Sequence, residues 1–412
     1  MTLSPTARAW LTVGLLWVVA LLNYLDRLMI TTMRDPLMAD ITMTDAQFGL
    51  LTSVFLWVYG LFSPLGGYLA DRFSRRAVII GSLLIWSLVT WLTGHMHSFE
   101  GLLAARALMG LSEACYIPAA LALIADHHPG PTRSLATGLH MSGIYTGAAL
   151  GGVGGYLAEA HGWRAGFHLF GGIGIVYAVV IVFFLRDAAA RTTSTTEAPA
   201  EKVSATGALA ALFRTPAFLV LLLVNALVGV ANWGVYGWLP TYLREHFSLG
   251  LGAAGMTATG YIQVASFAGV IVGGIWADRW SRRQPNARAV VPAIGYCVVA
   301  PCLFLAVTTN LLPLAIAGLL VFGLGRGFFD ANHMPVLRSI TDQRYSATGY
   351  GFLNFIGCIT GGLLIFVGGW LKDRAVDLSL IFQFSAVGLL VVGLLLFLIS
   401  RFPSSREAAD RR

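Results

Sequence analysis

Apolar runs of about twenty residues, separated by short polar turns, fall near 10–33, 47–70, 77–95, 101–124, 134–158 and 165–186. After a polar interruption they resume near 216–243, 252–277, 288–309, 312–337, 345–370 and 378–400. A helix needs roughly 20 mostly apolar residues to cross a bilayer, so the pattern predicts an all-α integral membrane protein with twelve transmembrane helices. The first run is too long for a cleaved signal peptide, contains Asp26 and Arg27, and lacks a clear small-residue cleavage site. Residues 187–215 are the only long polar insertion; rich in Ala, Thr, Ser and Glu, they read as a linker. The organisation expected is an N-terminal six-helix half over 1–186, a cytoplasmic linker over 187–215, a C-terminal six-helix half over 216–400 and a cytoplasmic tail over 401–412.

Composition agrees. The chain is 57% hydrophobic and 11% charged, against about 25% charged in soluble domains, which excludes both a water-exposed globular enzyme and a disordered chain. The 47 glycines suit close helix packing in lipid. A net charge of +7 does not point to nucleic acid, because basic residues concentrate in the cytoplasmic loops of membrane proteins. With both ends inside, those loops hold most of the basic residues, including Arg72, Arg75, Arg76, Arg186, Arg214, Arg279, Arg282 and Arg283. The outer loops hold Arg34, Arg164, Arg244, Lys372 and Arg374. The chain is therefore expected to lie in the cell (inner or plasma) membrane with both termini cytoplasmic, as a monomer. Cys115, Cys297, Cys302 and Cys358 sit inside apolar stretches without metal-ligand spacing and read as packing residues. No nucleotide-binding glycine loop, hydrolase motif, metal site or cofactor is indicated, and no enzymatic activity is expected.

The chain repeats itself. Gly67-Tyr-Leu-Ala-Asp71-Arg72-Phe-Ser74-Arg75-Arg76 and Gly274-Ile-Trp-Ala-Asp278-Arg279-Trp-Ser281-Arg282-Arg283 agree at seven of ten positions, 207 residues apart. Arg133-Ser-Leu-Ala-Thr-Gly138 pairs with Arg344-Tyr-Ser-Ala-Thr-Gly349, and Gly110, Glu113 and Pro118 align more weakly with Gly327, Asp330 and Pro335. Two duplicated halves in parallel orientation place a substrate site near the midplane between them. The two loops resemble the signature of the major facilitator superfamily, and the resemblance runs the whole length of the chain. Both copies carry Ser (Ser74, Ser281) where that family usually has Gly. The resemblance implies the major facilitator fold, with Asp71, Arg72, Arg76, Asp278 and Arg279 controlling gating.

Six charges fall within the spans: Asp26, Arg27, Arg106, Glu113, Arg326 and Asp330. Each costs roughly 2.5–3.5 kcal/mol at the bilayer centre, so each needs a reason. Helix rise places Asp26 and Arg106 at one height, and Glu113 and Arg326 at another. The heights permit an Asp26–Arg106 pair and a Glu113–Arg326 contact across the halves, and Arg326 and Asp330 join the gating residues. The bland alternative is static ion pairs that hold helices together.

Asn23-Tyr24-Leu25-Asp26-Arg27, with Arg106 and Glu113 seven apart in the fourth span, resembles the anion:cation symporter branch, whose members carry sugar acids and other organic anions, commonly with protons. By position the resemblance gives substrate-carboxylate binding to Arg27, proton coupling to Asp26 and Glu113 with Arg106 as partner of an acid, and wall positions to Tyr24 and Tyr59. Arg suits a carboxylate because its fork binds two oxygens and stays charged. Asn232, Gln263 and Asn354 are further substrate-binding candidates, since an amide is costly in lipid unless paired; Trp233, Tyr236 and Tyr261 are weaker ones. His140 and His333 read as satisfied buried histidines. The expected partners are a small anionic substrate, protons and membrane lipids. Spinster-like lysophospholipid or sphingolipid carriers have a similar first-span motif. Drug/proton antiport is disfavoured by Ala148, which stands where family antiporters typically carry Pro after Gly143-Ile-Tyr-Thr-Gly147.

Overall fold

The computed structural model describes residues 4–130, 132–188, 205–284, 286–342 and 345–402, with Asp71 and residues 205, 206, 208 and 347 described by backbone alone. Eleven described segments are long and apolar enough to cross a membrane. They are Pro5–Thr32, Asp45–Ala70, Arg75–Thr93, Phe99–His127, Trp163–Phe184, Pro216–Phe247, Leu251–Ser281, Ala287–Ala306, Leu312–Ile340, Thr348–Lys372 and Ser379–Ile399. These match eleven of the twelve apolar runs. The remaining run, 134–158, is two helices, Arg133–Leu150 and Val153–His161, broken at Gly151 and Gly152. Its polarity is tolerable because it packs between the first and eighth spans. At Gly152 only a glycine fits, since a Cβ there would lie 2.7 Å from backbone atoms of Gly255 and Met256 in the eighth span.

Local chemistry sets the helix ends. Thr44 and Gln47 form a reciprocal capping box at the start of the second span. Ser74, the departure from the family's glycine, accepts from Ala77 N–H at 3.1 Å and starts the third span. The fourth span breaks between Glu113 and Tyr116, four residues before Pro118, whose missing N–H cannot bond the Ala114 carbonyl. Of the expected linker, Ala205–Phe213 is helical and its Phe213 ring packs against Phe218 and Phe352. Residues 189–204 of that linker, residues 403–412 of the tail, and Arg344 of the repeat lie outside the described residues.

Exposed apolar side chains such as Val176, Val179, Phe183, Val264, Phe384 and Leu394 cover the outer helix faces, as lipid contact requires. Between the halves the second span packs along the eleventh, and the fifth along the eighth. The ends of these spans remote from the termini carry a polar seal. Arg34 Nε donates to Asp45 at 2.6 Å, Arg34 also pairs with Asp35, and Asp35 pairs with Arg244. Lys372 meets Glu245 at 2.7 Å. Asp373 accepts from the N–H groups of Asp45 (2.7 Å) and Ala46 (2.9 Å), an anion on a helix N-terminus. Glu159 likewise accepts from Leu251 N–H. Deeper in, Ser53 donates to the Gly362 carbonyl at 2.6 Å and Trp57 to that of Ile359 at 3.2 Å.

At the face bearing the termini, the described polar contacts stay within one half. Arg75 pairs with Asp126, Arg76 N–H with Asp187 and Arg288 with Asp278. Leu61, Leu65, Tyr68 and Tyr350, in the parts of the second and eleventh spans nearest that face, are exposed. The halves are thus sealed at the far face and parted at the terminus face.

Asp40, the last residue of the short helix Arg34–Asp40 that follows the first span, is held below the usual carboxylate range by hydrogen bonds from Arg164 first and from Trp163 Nε1 (3.0 Å) second. A depressed folded-state pKa adds stability above the unfolded value, about 3.9, that is lost as pH falls through the folded value. Asp40→Asn should therefore shrink the drop in melting temperature between pH 7 and pH 3.5 in detergent. An equal drop in both proteins would contradict this.

Candidate transport site

The first, second and fourth spans bring four of the six intramembrane charges together. Arg27 Nη2 donates to Glu113 Oε2 at 2.8 Å and to Asn23 Oδ1 at 3.3 Å. Its guanidinium sits in an aromatic cage, 4.5 Å from the Tyr24 ring centre, 4.8 Å from Phe55 and 4.6 Å from Tyr59. The pair is closed off, with side-chain exposures of 2% for Arg27 and 0% for Glu113. Asp26 is buried beside it, accepting only from Thr90 Oγ1 at 3.4 Å, with Oδ1 unpaired among the described residues.

Two expected pairings are not formed. Arg106 reaches the height of Arg27 but does not pair with Asp26: it donates to the carbonyls of Leu51 (3.2 Å) and Arg27 (3.4 Å). Phe55 explains the choice, since its ring lies 4.7 Å from the Arg106 guanidinium as well as 4.8 Å from that of Arg27. Arg106 is turned to this face, where two buried cations share one ring. Nor does Glu113 meet Arg326, because Arg27 occupies it.

The C-terminal half has its own cluster. Arg326 donates to Tyr236 OH from the seventh span and lies 5.1 Å from that ring's centre. Gln263 Nε2 of the eighth span donates to the same hydroxyl at 2.5 Å. Arg326 Nε is 3.6 Å from Asp330 Oδ2, which accepts from Tyr145 OH of the fifth span at 3.0 Å. This cluster is more open, with side-chain exposures of 12% for Arg326 and 32% for Asp330. Tyr24 and Trp233 pack with Leu28, Ala148 and Tyr236 where the clusters approach. Asn232 and Asn354 are partly exposed, whereas Tyr261 is 44% exposed.

The gating residues do not gather with Arg326 and Asp330. Asp278 pairs with Arg288, Arg76 bonds the Val182 carbonyl and Asp187, and Arg72 meets Tyr68 OH at 3.3 Å. Arg279 is exposed, and the Asp71 side chain lies outside the described residues. His140 is buried against the Tyr116 ring and beside the Leu16 backbone, and no carboxylate bonds it among the described residues. Among those residues no group of three His, Cys, Asp or Glu gathers as a metal site. Sequence reading missed Phe55, Thr90 and Tyr145. The signal for Tyr145 was its place in the glycine string that packs against the eighth span.

The profile of the Major Facilitator Superfamily matches residues 16–365. The chain belongs to this superfamily. An efflux pump of the superfamily type from Mycolicibacterium smegmatis is 29% identical over 90% of this chain and 86% of its own length. A probable sulfoacetate transporter from Cupriavidus necator is 26% identical over 93% and 91%. In fold, the chain is similar to a bacterial homologue of the human lysosomal transporter Spinster, solved inward-facing and unoccupied. That likeness has a TM-score of 0.81 at 22% identity, over 96% of this chain and 97% of the other. The protein is a multi-pass membrane transporter of the major facilitator fold and not an enzyme.

Proposed function

We propose that the chain carries a small organic anion, such as a hexonate or hexuronate, together with protons by alternating access. Both termini then lie in the cytoplasm, and the parted face opens inward. The observation that carries this reading is the buried Arg27–Glu113 pair at 2.8 Å, with Asp26 beside it in no ion pair among the described residues. An anion reaching Arg27 competes with Glu113 for the guanidinium. Glu113, left in an apolar pocket without its cation, takes a proton, so anion and proton cross together. Tyr24 and Tyr59 cage the guanidinium, and Tyr24 is the movable wall on the central side. Gln263, Asn232 and Asn354 serve substrate hydroxyls. Arg106, bonded to backbone, supplies positive charge that keeps the cluster neutral. Asp71, Arg72, Arg76, Asp278 and Arg279 hold the terminus-face loops during rocking. The relative named for sulfoacetate supports an organic-anion cargo.

The relative named as an efflux pump favours a second reading, outward antiport; a lysophospholipid cargo is a third. Proteoliposome uptake of hexonates and hexuronates under an imposed pH gradient, with a lysolipid control, separates them. Symport predicts accumulation driven by protons moving in the same direction and abolished by a protonophore, with the lysolipid unmoved. Gradient-indifferent uptake, or cargo moving against protons, would overturn it.

A further inference from the structure

The two halves carry parallel sites. Tyr24 and Tyr236 are 212 residues apart, and Glu113 and Asp330 are 217 apart, so the internal repeat relates both pairs. In each half a fourth-span carboxylate stands by a guanidinium that lies over a first-span tyrosine. The C-terminal copy differs in how its hydrogen bonds are spent. Arg326 bonds one hydroxyl, and its Nε is buried without a partner among the described residues. Asp330 stands 3.6 Å off and accepts instead from Tyr145. Gln263 Oε1 and Tyr296 OH, in residues only 1% exposed, are also unpartnered there, as is His333 Nε2. A five-donor guanidinium that is 12% exposed, holds one hydroxyl and stands 3.6 Å from a carboxylate, beside polar atoms without partners among the described residues, has the chemistry of an oxyanion site.

Resting on the anion-symport reading above, we propose that Arg326 binds a second anionic group of the cargo, so that the substrate class is an open-chain dianion with an oxyanion at each end. One end displaces Glu113 from Arg27. The other takes Arg326, while Gln263, bonded to the Tyr236 hydroxyl that Arg326 also meets, accepts from a cargo hydroxyl between them. A dianion thereby ties the halves together at the midplane, which a monoanion held at Arg27 alone does not.

The test is binding of D-glucarate and D-gluconate, equal in length and differing by one carboxylate, to the full chain in nanodiscs by calorimetry. The wild type should prefer glucarate at least tenfold, the scale of one charge-assisted hydrogen bond. Arg326→Gln should collapse that ratio to within threefold. Asp330→Asn, which frees Arg326 of its own carboxylate, should raise it, an outcome misfolding does not mimic. Equal wild-type affinities, or a ratio untouched by Arg326→Gln, would overturn the dianion inference and leave anion symport standing. Failure of both anions to bind would overturn both. Arg27→Gln reports on the symport reading separately, by weakening the two anions alike.

Discussion

Glu113→Gln should abolish concentrative uptake while counterflow exchange continues. One coupled proton per anion lets a pH gradient of one unit, about 1.4 kcal/mol, hold roughly a tenfold anion gradient. Without a proton-taking group at Arg27 that accumulation falls to unity, however steep the gradient. Gln is the informative replacement, because its amide oxygen can still accept from Arg27 Nη2, which Glu113 now meets at 2.8 Å. Ala would leave a buried, uncompensated guanidinium, and breaking a buried pair this way costs about 3–5 kcal/mol of stability. The measurement is accumulation against counterflow in the same proteoliposomes. Accumulation that survives in Glu113→Gln would move proton coupling elsewhere, to Asp26 first.

The ionisable residues could be found in the sequence because charge in lipid is costly enough that six such residues stand out from an apolar chain. Their pairing could not. Residue number gives height along a helix, and the height placing Arg106 level with the first-span charges was sound, since it bonds the Arg27 carbonyl. Partnership depends on rotation about the helix axis and on neighbours such as Phe55, an ordinary apolar residue until two guanidinium groups are seen against it. Likewise the twelve apolar runs followed from length alone, but the break at Gly151 and Gly152 did not. Paired glycines inside a glycine-rich helix look like packing residues, and only the eighth span pressed against Gly152 shows where the helix yields. Ser74 is the converse case: a departure from the family pattern whose hydroxyl caps the third span.

Gly369→Val should weaken the far-face seal and shift the chain toward the opposite access state. A Cβ at Gly369 would lie 2.1 Å from the Asp45 carbonyl oxygen and 2.8 Å from Ala46 Cα, both in the other half. Backbone cannot swing aside as a side chain can, and overpacking of this kind costs about 1–3 kcal/mol. Because those neighbours all belong to the facing half, the cost falls on closure and not on the folding of either half. The same approach lets Asp373 reach the start of the second span, so its hydrogen bonds to Asp45 and Ala46 loosen together with the steric contact. A bias of 1–3 kcal/mol changes the ratio of the two states about 5–150-fold. Labelling of Tyr350→Cys, exposed in the parted face, reads that ratio once Cys115, Cys297, Cys302 and Cys358 are replaced by Ser. Adding Gly369→Val should slow thiol labelling from the terminus side by at least fivefold and depress transport in step. Unchanged labelling would mean that the second and eleventh spans do not meet this closely when the terminus face is open, and the seal would have to be carried by Gly152 and the fifth–eighth contact instead.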